Sequence, residues 1–222
     1  MIPLRSTERV YSTPAVVISL IAANLLIFLY EASMSPYGLE VFIQRHGLVP
    51  DHLRYATLLT SMFLHGGWLH VLGNMWFLWV YGRNLEDLMG PAKFFAFYMV
   101  CGLAAAVVHV FFNPYSTAPT VGASGAIAGV MGGYLVKFPR ARIITLVPIF
   151  VFFTTLEIPA ALLLIYWFLI QAFSGWGSIR DPMMSQQGGV AWFAHVGGFV
   201  AGILLVNLMA PHQPRYRSWD WE

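Results

Sequence analysis

The chain has 222 residues, of which 58% are apolar and only 10% are charged, and its mean hydropathy is +0.67. An ordinary globular domain carries about 25% charged residues, so this composition excludes a typical water-soluble protein. The 12 Lys+Arg nearly balance the 10 Asp+Glu, which argues against a nucleic-acid-binding surface. The single cysteine excludes an intramolecular disulfide framework and a multi-cysteine zinc site.

Six apolar segments, separated by proline, glycine and charged residues, predict transmembrane helices. A bilayer core needs about 20 mostly apolar residues per helix, and the fourth segment is shorter than this and rich in glycine. We therefore predict an all-α polytopic membrane protein with one membrane domain, residues 14–210, and a short central fourth helix. The predicted spans are 14–30, 64–82, 94–112, 124–138, 154–173 and 190–209.

The start of the fifth span is predicted from a capping pattern. Thr154 with Glu157 three residues later fits a capping box, in which each side chain satisfies a free amide at a helix start. The preceding stretch, Ile143–Phe153, is interrupted by Pro148 and too short to span, so we expect it at the membrane interface. A polar loop, Ser174–Gly188, is expected before the sixth span.

The distribution of basic residues predicts the orientation. Most lysines and arginines lie before span one, between spans two and three, or after spans four and six, all on one side of a six-span topology. Residues 1–13 and the polar tail 211–222 are therefore expected to be cytoplasmic, with the chain in the plasma membrane. Arg5 and Arg9 also fit a signal peptide, but the following apolar segment is long for one and carries Asn24.

Four polar residues stand out inside the apolar segments: His70, Asn74, Ser124 and His195. Polar groups at such depth are costly, and therefore tend to face the interior of a helix bundle and to mark function. His70 and Asn74 are four residues apart and share one helical face. Each residue could instead serve only in a hydrogen bond between neighbouring helices.

Ser124 lies where an uncharged loop turns into the fourth helix. Serine at a helix start is often only an N-cap, but Gly122 and Gly125 leave room for another group to approach this hydroxyl. The free amides and partial positive charge of a helix amino terminus favour a developing oxyanion. The position therefore suits a nucleophile.

Glycines recur at intervals of four on two spans: Gly125, Gly129 and Gly133 on the fourth, and Gly198 and Gly202 on the sixth. Such a pattern allows two membrane helices to approach closely, although it could serve packing alone. If these two faces pack together, Ser124 and His195 meet.

A serine next to a neutral histidine is a candidate catalytic dyad, because the imidazole can take the hydroxyl proton. No aspartate lies in an apolar span and Glu157 is assigned to the helix cap, so we expect no third carboxylate and expect packing alone to orient His195. His70, Asn74 and the Ser124 amide would stabilise the negative oxygen of a tetrahedral intermediate.

These residues resemble the rhomboid intramembrane serine proteases. The resemblance covers roughly residues 65–202. It rests on three motifs that follow one another along the chain: HxxxN at His70–Asn74, GxSG at Gly122–Gly125 and AHxxGxxxG at Ala194–Gly202. A further segment, Gly82–Glu86, looks like the GxxxE motif of the family.

The resemblance implies a six-helix rhomboid fold that cleaves peptide bonds in or next to transmembrane segments of other proteins in the bilayer. It assigns the nucleophile to Ser124, the base to His195, and oxyanion-hole donors to His70 and Asn74. It implies neither metal nor cofactor. The loop over residues 31–63 matches less clearly.

Three other functions compete with this interpretation. A catalytically silent rhomboid-like protein that binds membrane clients would normally lack the serine or the histidine. A transporter would be favoured by an inverted repeat or a chain of intramembrane carboxylates, and neither is evident. A zinc protease could use His65 and His70, but there is no HExxH motif beside them.

Overall fold

The chain is mainly helical in a computed structural model that describes residues 2–149, 152–180 and 191–210. Residues 68–89 are helical without interruption, because a π-helical turn at Leu78–Gly82 joins α4 to α5. The helices are α1 (Ala15–Ala32), α2 (Pro36–His46), α3 (Thr57–Thr60), α4 (Trp68–Phe77), α5 (Arg83–Met89), α6 (Pro91–Phe112), α7 (Ser124–Lys137), α8 (Ala160–Arg180) and α9 (Trp192–Met209).

Four of these helices are long and apolar enough to cross a bilayer: α1, α6, α8 over Ala160–Ser178, and α9. The chain is therefore an integral membrane protein. The helix α7, with 14 residues, is shorter than a full span, yet nearly all of its residues are buried. It packs most extensively against α9 and α6.

The prediction of an all-α chain is wrong in one respect, because three strands form an antiparallel sheet. They are β1 (Ile2–Ser6), β2 (Arg142–Ile149) and β3 (Phe152–Pro159), in the order β1-β2-β3. The sheet ties the amino terminus to the segment between α7 and α8.

The predicted capping box at the start of the fifth span is also wrong. Thr154 pairs with Val147 and Glu157 with Ile144 across the β2–β3 ladder, and α8 begins only at Ala160. This segment is dense in β-branched and aromatic residues, which favour paired strands over a helix start. Of the predicted interfacial stretch, Ile143–Phe153, residues 143–149 lie in β2 and residues 152 and 153 begin β3, while 150 and 151 lie outside the described residues.

The end of α8 differs from the prediction as well. The helix continues to Arg180, past the predicted end at residue 173 and into the expected polar loop. The Ser178 hydroxyl donates a hydrogen bond to the Gly175 carbonyl at 2.8 Å, so this polar side chain is satisfied inside the helix. The rest of that loop from residue 181, the start of the predicted sixth span at 190, and the tail 211–222 lie outside the described residues.

Glycines bring the backbones of α7 and α9 into direct contact. A Cβ added to Gly198 would overlap the Gly125 carbonyl oxygen, and one added to Gly202 would overlap the Gly129 carbonyl oxygen. A side chain larger than hydrogen would therefore force the two helices apart. We call this contact the glycine seam, defined by Gly125, Gly129, Gly198 and Gly202.

One side-chain bond holds the carboxyl-terminal half of α7, and others join β1 and α1 to the helical segment 68–89. Ser6 of β1 and Tyr134 of α7 join their hydroxyls at 2.5 Å, and the Trp76 indole donates to the Pro3 carbonyl at 2.5 Å. The buried Glu86 carboxylate accepts the backbone amides of Val16 and Val17, each at 2.8 Å. These amides begin α1, so Glu86 caps that helix with a negative charge.

Candidate active site

The amino-terminal parts of α4, α7 and α9 meet at one cavity, and the four polar residues singled out in the sequence lie there. The Ser124 Oγ and the His195 Nε2 are 2.8 Å apart. An imidazole nitrogen at this distance can take the hydroxyl proton. The glycine seam is what allows this contact, because it lets the helices that carry the two residues approach closely.

The loop before Ser124 is shaped by Gly122, whose φ of +127° favours glycine. The Gly122 amide donates to the Ser61 carbonyl at 2.9 Å, which fixes the loop against the segment before α4. A Cβ at residue 122 would lie 2.8 Å from the His70 Nε2. Glycine is therefore required here for both the backbone conformation and the position of His70.

Two potential hydrogen-bond donors on α4 face this loop. The Gly66 amide approaches the His70 Nδ1 at 3.4 Å, a long bond in which Nδ1 accepts and Nε2 therefore carries the hydrogen. The Asn74 Nδ2 is buried, and within the described part of the chain it has no hydrogen-bond partner. Both nitrogens lie beside Gly122, two residues before the serine.

The cavity has a volume of about 240 Å³ and is lined by His70, Asn74, Ser124 and His195 together with apolar side chains. A second, more apolar cavity of about 550 Å³ lies between α4 and α8. Phe77, Met131 and Trp167 line both cavities, so the two spaces adjoin. The polar groups thus stand beside a space that suits an apolar segment.

The expectation that packing alone orients His195 is wrong. Its Nδ1 lies 2.6 Å from the Gln171 Oε1, and both side chains are buried. The ring of Trp167, one helical turn before Gln171, lies 5.7 Å from the imidazole. The glutamine was missed in the sequence, although a strongly polar side chain inside an apolar span is the signal that identified the other four.

A second polar residue that the sequence analysis overlooked is His109 on α6. Its Nε2 lies 2.9 Å from the Thr120 Oγ1, which ties α6 to the loop before α7. His65, considered above as a zinc ligand, stacks edge-on against His70 at 5.1 Å. Within residues 2–149, 152–180 and 191–210, no three His, Cys, Asp or Glu side chains are grouped as a metal site would require.

Comparison with known proteins identifies the family of this chain. The family profile described as the rhomboid domain matches residues 52–212. This match covers well over half of the chain. The chain belongs to the rhomboid family.

Individual relatives are similar at modest identity. Rhomboid protein 1, mitochondrial, from Saccharomyces cerevisiae is 28% identical over 195 residues, 82% of this chain and 52% of that protein. Rhomboid protease GluP from Bacillus subtilis is 37% identical over 78 residues, 35% of this chain and 15% of that protein. The human presenilin-associated rhomboid-like protein, mitochondrial, is 29% identical over 142 residues, 61% of this chain and 36% of that protein. The chain thus spans about half the length of the first relative and less of the others.

Proposed function

We propose that this protein is an intramembrane serine endopeptidase that uses Ser124 as nucleophile and His195 as general base. The observation that carries the proposal is the 2.8 Å contact between the Ser124 Oγ and the His195 Nε2 inside a cavity. Membership of the rhomboid family supports it, as does the similarity to a relative whose name is rhomboid protease.

The reaction proceeds in two halves. The Ser124 Oγ attacks the carbonyl carbon of a peptide bond while the His195 Nε2 takes its proton, and the same imidazole then returns that proton to the leaving amine. Water, activated by the same base, hydrolyses the resulting acyl-enzyme. The reaction needs water at the serine, and the 240 Å³ cavity provides the space for it.

The negative oxygen of each tetrahedral intermediate is stabilised by donors from two helices. The Asn74 Nδ2, the His70 Nε2 and the backbone amide of Ser124 serve this purpose. The buried Asn74 Nδ2, which has no partner among the described residues, supports the assignment, because a buried donor without a partner is costly unless a ligand uses it. Gly122, Gly125, Gly198 and Gly202 support the site by keeping these groups close, and the reaction requires no metal or cofactor.

The substrates are transmembrane proteins, cleaved in or next to their membrane segments. The cavity between α4 and α8 supports this substrate class, because it adjoins the polar cavity and its lining residues are mostly apolar. The peptide must be unwound at the cleavage point, since a helix engages its carbonyls in hydrogen bonds. We expect small residues there, as in the family.

We further propose six membrane spans within a single domain over residues 14–210. The continuous helical segment 68–89 and the short, central α7 complete the set of four long apolar helices. Both termini, residues 1–13 and 211–222, are cytoplasmic. The plasma membrane is the location that we propose from sequence, and a mitochondrial membrane is the alternative that two similar relatives favour by name.

The proposal is tested by cleavage of a single-span substrate in liposomes. Ser124→Ala abolishes cleavage and leaves the thermal unfolding of the protein unchanged. Ser19→Ala is the matched control, because Ser19 also lies in an apolar helix. Its hydroxyl donates a hydrogen bond at 2.8 Å to the Ala15 carbonyl, one turn earlier in the same helix. Cleavage by Ser124→Ala at the wild-type rate would contradict the proposal. If the chain were a catalytically silent client-binding protein, neither the wild type nor Ser124→Ala would cleave the substrate.

A further inference from the structure

The second nitrogen of the His195 ring is bonded to a helix other than its own. The Gln171 Oε1 lies 2.6 Å from the His195 Nδ1, and the side chains are 5% and 9% exposed. Gln171 lies in the middle of α8, whereas His195 is near the start of α9. The bond therefore connects two separate elements at the candidate base.

This bond determines which ring nitrogen carries the hydrogen. A carbonyl oxygen only accepts, so the His195 Nδ1 donates to it and the Nε2 keeps a free lone pair. That lone pair faces the Ser124 hydroxyl at 2.8 Å. In the other tautomer the Nε2 would carry the hydrogen and could not take the serine proton.

We propose that Gln171 is a positioning residue that fixes the tautomer and the ring orientation of His195 through its side-chain oxygen. The inference rests on the proposed function, since it gives the serine–histidine pair a third, neutral member. Gln171 does not touch the substrate in this account. It acts only through the imidazole.

A neutral acceptor suits the surroundings of His195. Among the described residues, two further histidines act electrostatically on the imidazole, His70 of α4 and His109 of α6. A carboxylate at position 171 would place a charge at a buried site and would favour the protonated imidazole, which cannot act as a base. An amide orients the ring without either effect.

If Gln171 had only a structural role, the expected results would be different. If Gln171 only filled a polar gap between α8 and α9, its loss would reduce stability and leave the pH profile and the ring tautomer unchanged. Gln171→Leu removes the acceptor at nearly the same side-chain length, and Gln171→Glu keeps an acceptor but adds a charge. Ser178→Ala is the matched control, because it removes from the same helix a hydroxyl whose bond among the described residues is to the Gly175 carbonyl.

The experiment measures kcat and KM against pH for the reconstituted full chain, together with the ¹⁵N signals of labelled histidine. Gln171→Leu lowers kcat about 10- to 100-fold with KM within about twofold, because the base is misplaced and not the substrate. Gln171→Glu retains more activity than Gln171→Leu at high pH, and the acid limb of its profile moves upward by about one pH unit or more. Ser178→Ala behaves like the wild type.

The ¹⁵N spectrum separates this inference from the proposed function. The wild type, compared with His195→Ala to assign the signal, shows His195 protonated at Nδ1, and Gln171→Leu shows a mixture of tautomers. This readout needs no catalysis, so an inactive wild type would overturn the protease assignment while the tautomer still tests Gln171. The positioning role would be overturned if Gln171→Leu had the same kcat and pH profile as the wild type. It would also be overturned if His195 of the wild type carried its hydrogen on Nε2.

Discussion

The two sides of the candidate site are built differently. On one side α7 and α9 touch along the glycine seam, where no side chain separates the backbones. On the other side fewer residues of α8 are buried: 22% of its most apolar stretch, against 39% for α9. A cavity of about 550 Å³ separates α8 from α4.

The difference assigns distinct tasks to the two sides. The glycine seam sets the distance between Ser124 and His195, which has to be short for proton transfer. The α8 side provides apolar space beside the site and reaches His195 through one side chain, Gln171. Substitutions in the seam should therefore disrupt both folding and chemistry, whereas similar substitutions on α8 should be tolerated.

The strongest test of this contrast is a methyl group added to each side. Gly202→Ala places a Cβ where the Gly129 carbonyl oxygen lies, so α7 and α9 must separate. We expect destabilisation of about 1–3 kcal/mol or more and a loss of most cleavage activity, measured by thermal unfolding in detergent and by the liposome assay. Gly177→Ala on α8 is the control, because its added Cβ meets no atom of another described element within 4 Å. Equal effects of the two variants would refute the contrast.

A smaller loss of activity is expected when one hydrogen-bond donor of the proposed oxyanion hole is removed. Asn74→Ala should lower kcat about 10²- to 10³-fold with little change in KM or stability, because in the proposed mechanism its side-chain amide stabilises the transition state, and it has no partner among the described residues. Asn207→Ala, an exposed asparagine at the far end of α9, is the control. Steady-state kinetics in liposomes decide the question. A change in KM alone would show that Asn74 binds substrate without stabilising the intermediate.

Sequence patterns and the structure agree best at the glycine seam. Glycines at intervals of four indicate close packing of two membrane helices, and polar side chains in apolar spans tend to face the interior of the bundle. The approach of Ser124 to His195 could therefore be inferred from residue types alone. The same reasoning failed at Thr154 and Glu157. That segment was interpreted as a helix start because a capping pattern is local, whereas these two residues pair with Val147 and Ile144 of β2. The strand β2 pairs in turn with β1, more than a hundred residues earlier in the chain, and a local pattern does not reveal that pairing.

The failure at Gln171 has another cause. A neutral amide in an apolar span carries no spacing pattern that connects it to a particular partner, and its bond to His195 arises only from the packing of α8 against α9. The sequence marks such a residue as unusual but does not identify what it contacts. The position of α8 relative to α9 was needed for that.

Removing a charge that lies away from both the glycine seam and α8 should lower stability and leave activity unchanged. Glu86→Gln weakens the cap of α1, because the carboxylate accepts two amides at that helix start. We expect a loss of about 1–2 kcal/mol with kcat unchanged, measured by thermal unfolding and the cleavage assay. The exposed Glu40 of α2, changed to glutamine, is the control. A fall in kcat without a fall in stability would contradict the separation of cap and site.

The smallest effect is expected where the sheet joins the two sides. Ser6→Ala removes the hydroxyl bonded to Tyr134 of α7, which helps to hold the sheet that leads into α8. We expect a loss of about 1 kcal/mol in stability with activity retained. Ser33→Ala, which removes only a local bond to the Tyr30 carbonyl, should have less effect. An equal loss in both variants would show that the sheet contributes nothing to the packing of α7.

The central claim is that His195 activates Ser124, and covalent labelling tests it most directly. The protein is treated with a serine-reactive fluorophosphonate, digested, and mapped by mass spectrometry. The account predicts an adduct on Ser124 in the wild type and none in His195→Ala, which must remain folded by thermal unfolding. An adduct on another serine, or equal labelling of Ser124 in His195→Ala, would contradict it.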